Sequence, residues 1–260
     1  MVRQLYIELV YSTRIPTEAR MTRAVFHEDS YRTELRSVVK AAGDDWVELD
    51  QTIFYPEGGG QPGDYGALSS SAGTVRVVDT IKGETQGVVR HILASSEPDL
   101  PKHHFQVGDE LLASIDWERR YKLMRMHTCM HLLGSLIPVP VTGGQVGLEK
   151  SRLDFNLGDH LLDKEDLTLR MNTLVAESHE LHTGSITESQ LDENPGLVRT
   201  MSVQPPRGVG DIRMIRVQDV DYQPCGGTHV RNTSEVGKVL IRKIENKGKQ
   251  NRRVHIVLED

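Results

Sequence analysis

The sequence predicts an α+β protein whose β-rich part comes first. Three observations carry this expectation. Short apolar stretches with strand-like alternation recur through the first 115 residues, a long apolar helix with a capped start and a proline stop follows, and strand-like stretches return near the end. A chain of 260 residues suffices for one large domain or two ordinary ones. The expected division is a glycine-rich β unit over 1–113 and an α+β unit over 114–260.

The expected strands of the first unit are 38–39, 46–49, 75–78, 88–93 and 111–115, which at this spacing suggest a small barrel or sandwich. Between them lies the turn-rich run Tyr55-Pro56-Glu57-Gly58-Gly59-Gly60-Gln61-Pro62-Gly63-Asp64. Residues 94–109 read as a loop near the boundary. Asp116 is placed to cap a helix over 117–137, with Glu118 near its positive dipole end and Pro138 as its stop. A second helix is expected over 165–181, from apolar residues at Leu167, Met171, Leu174, Val175 and Leu181. Thr187-Glu188-Ser189-Gln190 has the form of a capping box and can open a short third helix. Strands are expected again over 212–217, 236–244 and 254–258.

Composition narrows the function classes. The AVILMFWYC fraction of 37%, with 23 glycines besides, lies in the range of chains that bury a core. The net charge of −6 gives no chain-wide basic footprint for nucleic acid. The most apolar stretch, 132–141, is broken by Gly134, Ser135, Pro138 and Pro140, so no membrane span is expected. Residues 1–8 show no apolar core ahead of Glu8, so no signal peptide is expected. Two cysteines, Cys129 and Cys225, exclude a disulfide framework and suit a reducing cytoplasm.

The first expected helix carries His127-Thr128-Cys129-Met130-His131. A four-residue step sets two imidazoles on one helical face about 6 Å apart along the axis, as for two ligands of one metal. A polar stripe on a half-buried helix gives the same pattern. Downstream stands Pro224-Cys225-Gly226-Gly227-Thr228-His229, where proline and two glycines make a tight turn. A buried cysteine acting as a small hydrophobe is the plainer reading of Cys225 alone. Taken together, three imidazoles and one thiolate make a tetrahedral zinc set. Cys129 lies two steps from each helix histidine, so it points elsewhere and reads as packing. His179 and His182, three apart on the second expected helix, fall one short of the HExxH spacing and read as surface. His103 and His104 fall in the boundary loop, and His27, His91, His160 and His255 have no partner in sequence.

The two metal-type motifs and the glycine-rich run together resemble the freestanding alanyl-tRNA editing proteins of the AlaX family. These are similar to the editing region of alanyl-tRNA synthetase, and more distantly to that of threonyl-tRNA synthetase. Ser151-Arg152-Leu153-Asp154-Phe155 and Asn246-Lys247-Gly248-Lys249-Gln250-Asn251-Arg252-Arg253 also look like family segments, and the length fits the medium form. The resemblance implies an N-terminal β-barrel over 1–113 and a zinc-dependent editing domain over 114–260. It implies one zinc per chain on His127, His131, Cys225 and His229. The implied activity is hydrolysis of the aminoacyl ester of mischarged tRNA(Ala), with seryl-tRNA(Ala) the main substrate and glycyl-tRNA(Ala) a second. It suggests Gln145, in Thr142-Gly143-Gly144-Gln145-Val146-Gly147, as a pocket residue. A cytoplasmic protein with no membrane partner is expected; the oligomeric state is left open, a monomer sufficing.

The chemistry fits these residue types. Zinc polarises a carbonyl or lowers the pKa of a bound water. Four protein ligands make a closed site, whereas catalytic zinc usually keeps an open position, so a ligand gives way, coordination expands, or the metal mainly orients the substrate. An alanine pocket rejects serine weakly, and a second hydrolytic site that hydrogen-bonds the hydroxyl supplies the missing discrimination. Thr142, Gln145 and Thr128 are the candidates for that contact. For tRNA, residues 231–253 hold eight Lys/Arg against two Glu, a local +6 that leaves −12 elsewhere. Lys243, Lys247, Lys249, Arg252 and Arg253 are the expected phosphate contacts, and Gly58, Gly59 and Gly60 allow close approach of the tRNA backbone. A solvated face and a plain turn are the alternatives. Arg119, Arg120, Lys122 and Arg125 form a second basic cluster. Two other classes stay open: a non-catalytic tRNA-binding module with a structural zinc, and a hydrolase with Cys225 as nucleophile beside His229.

Overall fold

The structure is a computed structural model that describes residues 21–94, 105–158, 161–201, 204–208 and 210–259. Residues 1–8, His103, His104 and His160 therefore lie outside the described residues, as does most of the expected 94–109 loop.

The described residues open on β1 (Arg23–Ala24) and a single turn, α1 (Val25–Glu28). Then come β2 (Glu34–Ala42), β3 (Trp46–Leu49), β4 (Gln51–Thr52), β5 (Gly66–Ser70), β6 (Gly73–Lys82), β7 (Val89–Leu93) and β8 (Glu110–Ile115). Six of these close into a barrel in the order β2-β3-β7-β6-β5-β8, with β2 and β8 pairing antiparallel to complete it. The expected strands are its ladders, lengthened because each alternates inward residues such as Leu35, Val39, Leu68 and Val77 with outward polar ones. The closing strand runs across the 113/114 boundary to Ile115, and Asp116 starts the next element.

That element is α2 (Trp117–Leu136), where Asp116 accepts from the Arg119 amide at 3.1 Å. From Leu123 to Leu133 nearly every residue is buried, so this is a core helix with no solvent face. Next come β9 (Val141–Gln145), β10 (Ser151–Asn156), α3 (Lys164–Ala176), β11 (Leu181–Ile186), α4 (Glu188–Glu193), β12 (Ile212–Val217), β13 (Asp221–Pro224), β14 (Lys238–Asn246) and β15 (Asn251–Glu259). An antiparallel sheet in the order β14-β15-β10-β9 receives α2 and α3 on one face, and β11-β12-β13 form a second sheet. The capping box on α4 forms as expected: Gln190 N donates to Thr187 Oγ1 at 3.2 Å, and Thr187 N donates to Gln190 Oε1 at 2.9 Å. Among the described residues no helix is long and apolar enough to cross a membrane.

The second helix is shorter than expected. It stops at Ala176, Ser178 turns through the left-handed region (φ 62), and His179 N donates to Thr233 Oγ1 at 2.9 Å. Leu181 opens a strand instead, so His179 and His182 share no helical face. Each meets a nearby glutamate: His179 meets Glu177 and His182 meets Glu180. Residue 236 ends a 3-10 turn, Thr233–Val236, and the strand begins two residues on, beyond Gly237 at φ 78.

The two parts are joined through buried charge. Arg120 and Asp64 pair out of solvent, with Arg120 Nε 2.9 Å from Asp64 Oδ2. Arg120 also donates to the Ile53 and Ser30 carbonyls at 2.6 and 3.0 Å, and Asp64 accepts from the Tyr55 amide at 2.6 Å. The expected second basic cluster is thus divided. Arg120 belongs to the core, and Arg119 lies over the Tyr65 ring and donates to Gly63 O. The pair pins the glycine-rich loop against the start of α2.

Candidate metal centre

One turn of α2 sets His127 and His131 side by side, with ring centroids 5.4 Å apart. The turn after β13 brings Cys225 and His229 against them, and the His229 ring lies 4.4 Å from His127 and 4.6 Å from His131. The turn can come this close because residue 227 is glycine: a Cβ there would lie 2.1 Å from His127 Cε1. The four donor atoms fall within 4.8 Å of one another.

Every ring is oriented by its other nitrogen. His127 Nδ1 lies 2.8 Å from Gln61 Oε1, His131 Nδ1 lies 2.9 Å from Asp221 Oδ2, and His229 Nδ1 lies 3.1 Å from Thr128 Oγ1. With Nδ1–H donating in each case, all three Nε2 atoms are left to accept, as metal-bound imidazoles require. Cys225 Sγ lies 3.6 Å from His127 Nε2 and 3.3 Å from His229 Nε2. A tetrahedral zinc with N at about 2.05 Å and S at about 2.3 Å sets sulfur and nitrogen about 3.5 Å apart, so the donor set fits zinc in kind and in spacing.

The electrostatics agree. Burial opposes ionisation of the Cys225 thiol, but the His127 and His229 imidazoles overcome it and hold the thiol well below its usual range. Burial pulls His131 down too, yet the Asp221 carboxylate and the Cys225 sulfur raise it to about 10. His229 is lowered to about 3 by burial and by His127. Both directions favour the charged forms of the Cys225 sulfur and the His131 ring.

Three of the orienting and lining residues gave no signal in the sequence. Gln61 is wholly buried, donates to Thr228 Oγ1 at 2.8 Å and accepts from Thr228 N at 3.1 Å. Asp221 is buried and faces Arg199 Nη2 at 3.3 Å. His27 lines the adjoining cavity and donates from Nε2 to Gly226 O at 2.8 Å; burial and Arg213 lower it to about 4. A lone glutamine, aspartate or histidine far from its partner in sequence carries no periodicity that could flag it. The cavity measures about 690 Å³, and its wall includes His127, His131, Cys225, Met130 and Leu153.

Residues 212–255, which hold the Cys225–His229 turn, match the family described as the threonyl and alanyl tRNA synthetase second additional domain. Residues 8–119 match class II (A) tRNA synthetases. The alanyl-tRNA editing protein AlaX-M of Methanosarcina acetivorans is 32% identical over 246 residues, covering 92% of this chain and 100% of the relative. AlaX-M of Methanosarcina mazei is 33% identical over 248 residues, covering 92% of this chain and 98% of the relative. The chain belongs to the AlaX family. An alanine–tRNA ligase from Sulfurisphaera tokodaii is 34% identical over 236 residues, which is 86% of this AlaX chain but 25% of the ligase.

The remaining expected residues of the AlaX chain are placed unevenly. Gly58 and Gly59 line the cavity, and Gly60 O accepts from Val146 N at 2.8 Å, docking the glycine-rich loop on the end of β9. Thr128 is buried beneath His229. Val141 and Gly144 of β9 line the cavity while Thr142 and Gln145 do not; Thr142 donates to Asp154 O at 3.2 Å and Gln145 is exposed beside Gly60. Lys243, Lys247, Lys249, Arg252 and Arg253 gather on β14, β15 and their connecting turn. Much of their charge is answered there: Lys243 and Lys247 by Glu245, and Arg253 by Asp154 at 2.7 and 2.8 Å. Cys129 is fully buried in the apolar core, which pushes its thiol pKa up.

Proposed function

We propose that this chain is a trans-editing hydrolase that removes the wrong amino acid from tRNA(Ala), seryl-tRNA(Ala) first and glycyl-tRNA(Ala) second, at one zinc on His127, His131, Cys225 and His229. The observation that carries this reading is the convergence of four donor atoms on the wall of a cavity of about 690 Å³. The likeness over nearly the full length of proteins named as alanyl-tRNA editing proteins supports it. Zinc in that position supplies a Lewis acid for the ester carbonyl and lowers the pKa of water towards neutrality.

The chain's own residues do the rest. Gln61, Asp221 and Thr128 hold the three imidazoles in one tautomer and one orientation. Met130, Val141 and Leu153 give the cavity an apolar side that keeps bulk water from the ester. Serine is accepted through its hydroxyl, and an alanyl group would leave the partner unpaired at a cost of about 1–3 kcal/mol. The expected readers Thr142 and Gln145 do not line the cavity; their strand contributes Val141 and Gly144 to its wall instead. A cytoplasmic setting suits both the substrate and the free thiolate.

Metal analysis combined with deacylation of seryl-, glycyl- and alanyl-tRNA(Ala) tests the reading. One zinc per chain and fastest release of serine are expected. Background hydrolysis of seryl-tRNA(Ala) by zinc-loaded protein would leave only a tRNA-binding module. Full activity after chelation, with covalent trapping at Cys225, would point to the cysteine as nucleophile.

A further inference from the structure

Three cationic side chains line the cavity: Lys82, Arg199 and Arg213. Two are committed. Arg213 Nη1 donates to the Cys225 and Gly227 carbonyls at 2.6 and 2.9 Å, and so braces the ligand turn from behind. Arg199 donates to Gly134 O at 3.0 Å and faces Asp221. Lys82, at the end of β6, is exposed and makes no ion pair among the described residues. It stands against the glycine-rich loop: a Cβ at Gly58 would lie 3.3 Å from Lys82 Cε and 3.4 Å from Nζ.

The neighbouring backbone has the same preference. Gly59 and Gly60 take positive φ (58 and 84), and open space surrounds the Cβ position of Gly59. Their amides have no acceptor among the described residues, whereas the Gly58 amide is used by Gln61 O at 3.1 Å. An ammonium group beside unpaired amides in a left-handed turn is a cradle for an anion. The cavity is also of a size that takes a whole small-molecule ligand, larger than an aminoacyl group needs. A chain of net charge −6 repels a polyanion at long range, so such contacts must be local.

We propose that Lys82 grips a phosphodiester of the nucleic-acid strand whose 3′ end enters the metal cavity, with the Gly59 amide beside it. This rests on the trans-editing reading for the identity of the strand. Lys82 is thus a substrate-positioning residue on the barrel, in a different sheet from the basic β14–β15 hairpin.

The test is binding of uncharged tRNA(Ala) by fluorescence anisotropy over a salt series, together with deacylation kinetics, for wild type, Lys82→Ala and Lys82→Arg. Lys82→Ala should weaken binding roughly tenfold at low salt. It should also flatten the plot of log affinity against log salt by about 0.7–0.9, the signature of one lost phosphate contact. Lys82→Arg should restore both. KM for seryl-tRNA(Ala) should rise with kcat and zinc content unchanged, and hydrolysis of a seryl ester of adenosine, which has no phosphate, should not change. An unaltered salt slope, or an equal loss on the phosphate-free ester, overturns the proposal. Wild-type protein that fails to deacylate while Lys82 still sets the salt slope overturns the trans-editing reading and leaves the phosphate contact standing.

Discussion

Gln61 Oε1 lies 2.8 Å from Nδ1 of His127, so a residue of the barrel's glycine-rich loop orients an imidazole on the core helix of the other part. Such outer contacts are commonly worth 10–100-fold in metal affinity. Gln61→Ala should therefore weaken zinc binding by about that factor, measured by competition with a chromophoric chelator. Gln61→Glu, which keeps an acceptor for Nδ1–H, should lose much less. Equal affinities for wild type and Gln61→Ala would remove the loop from the metal centre.

Gly227 and Gly226 make a contrasting pair. A methyl group at Gly227 would collide with the His127 ring, while nothing lies within 4 Å of the Cβ position at Gly226. Gly227→Ala should abolish stoichiometric zinc binding and Gly226→Ala should retain it, as read by metal content after gel filtration. Zinc retained in both would mean that the turn yields more easily than its packing indicates.

Metal uptake should release a proton. In the metal-free site the His127 and His229 imidazoles hold the Cys225 thiol well below its usual range, whereas His131, raised to about 10, keeps a proton at neutral pH. Zinc requires the neutral ring, so about one proton leaves His131 per metal bound. Apparent affinity should then rise up to about tenfold per pH unit until about pH 10. Calorimetry at pH 7 in buffers of different ionisation enthalpy counts the proton, and a count of zero would contradict the assignment. The linked stability has the opposite slope. With the folded value above the ordinary 6.5 of histidine, the His131–Asp221 contribution in metal-free protein is complete below pH 6.5 and is lost as pH rises through about 10.

Arg120 has no substitute in its place. Its side chain is 0% exposed, paired with Asp64 and bonded to two carbonyls of the barrel part. Arg120→Met leaves a buried carboxylate unpaired and should cost about 3–5 kcal/mol in urea denaturation. Adding Asp64→Leu should recover only part of this, because the Tyr55 amide and the Ile53 and Ser30 carbonyls would still lack partners.

The basic hairpin divides in the same manner. Lys249 is exposed and makes no ion pair among the described residues, while Arg253 clamps Asp154. Lys249→Glu should weaken tRNA binding with little change in thermal stability or zinc content. Arg253→Glu should lower the melting temperature as well, since it sets two carboxylates face to face. Unchanged tRNA affinity for Lys249→Glu would take the hairpin out of the footprint.

What could be read in advance follows physical range. The paired histidines of α2 and the Cys225–His229 turn were legible because a four-residue step on a helix and a glycine turn are local geometry. The barrel strands were legible because alternation writes burial directly into sequence. The end of α3 was misplaced because Leu181 continues the apolar pattern, while the break is made by Ser178 and by Leu181 N donating to Arg231 O, a contact from fifty residues away. Strand β9 is hidden because Gly143 and Gly144 cut short the strand signal of Val141 and Thr142, and the segment is held by its ladder with β10. Gln61 and Asp221 were illegible because each acts on a residue reached only through the fold.

The barrel's loop also sets an order of events during synthesis. Gln61 and Asp64 leave the ribosome before any ligand, His127 and His131 follow, and the Cys225–His229 turn emerges last of the set. The four-donor set is complete only on a chain whose barrel part has already been made, so a metal held there would mark nearly finished molecules. A nascent chain that stops before Cys225 would hold only His127 and His131 of the four donors and so would compete poorly for metal.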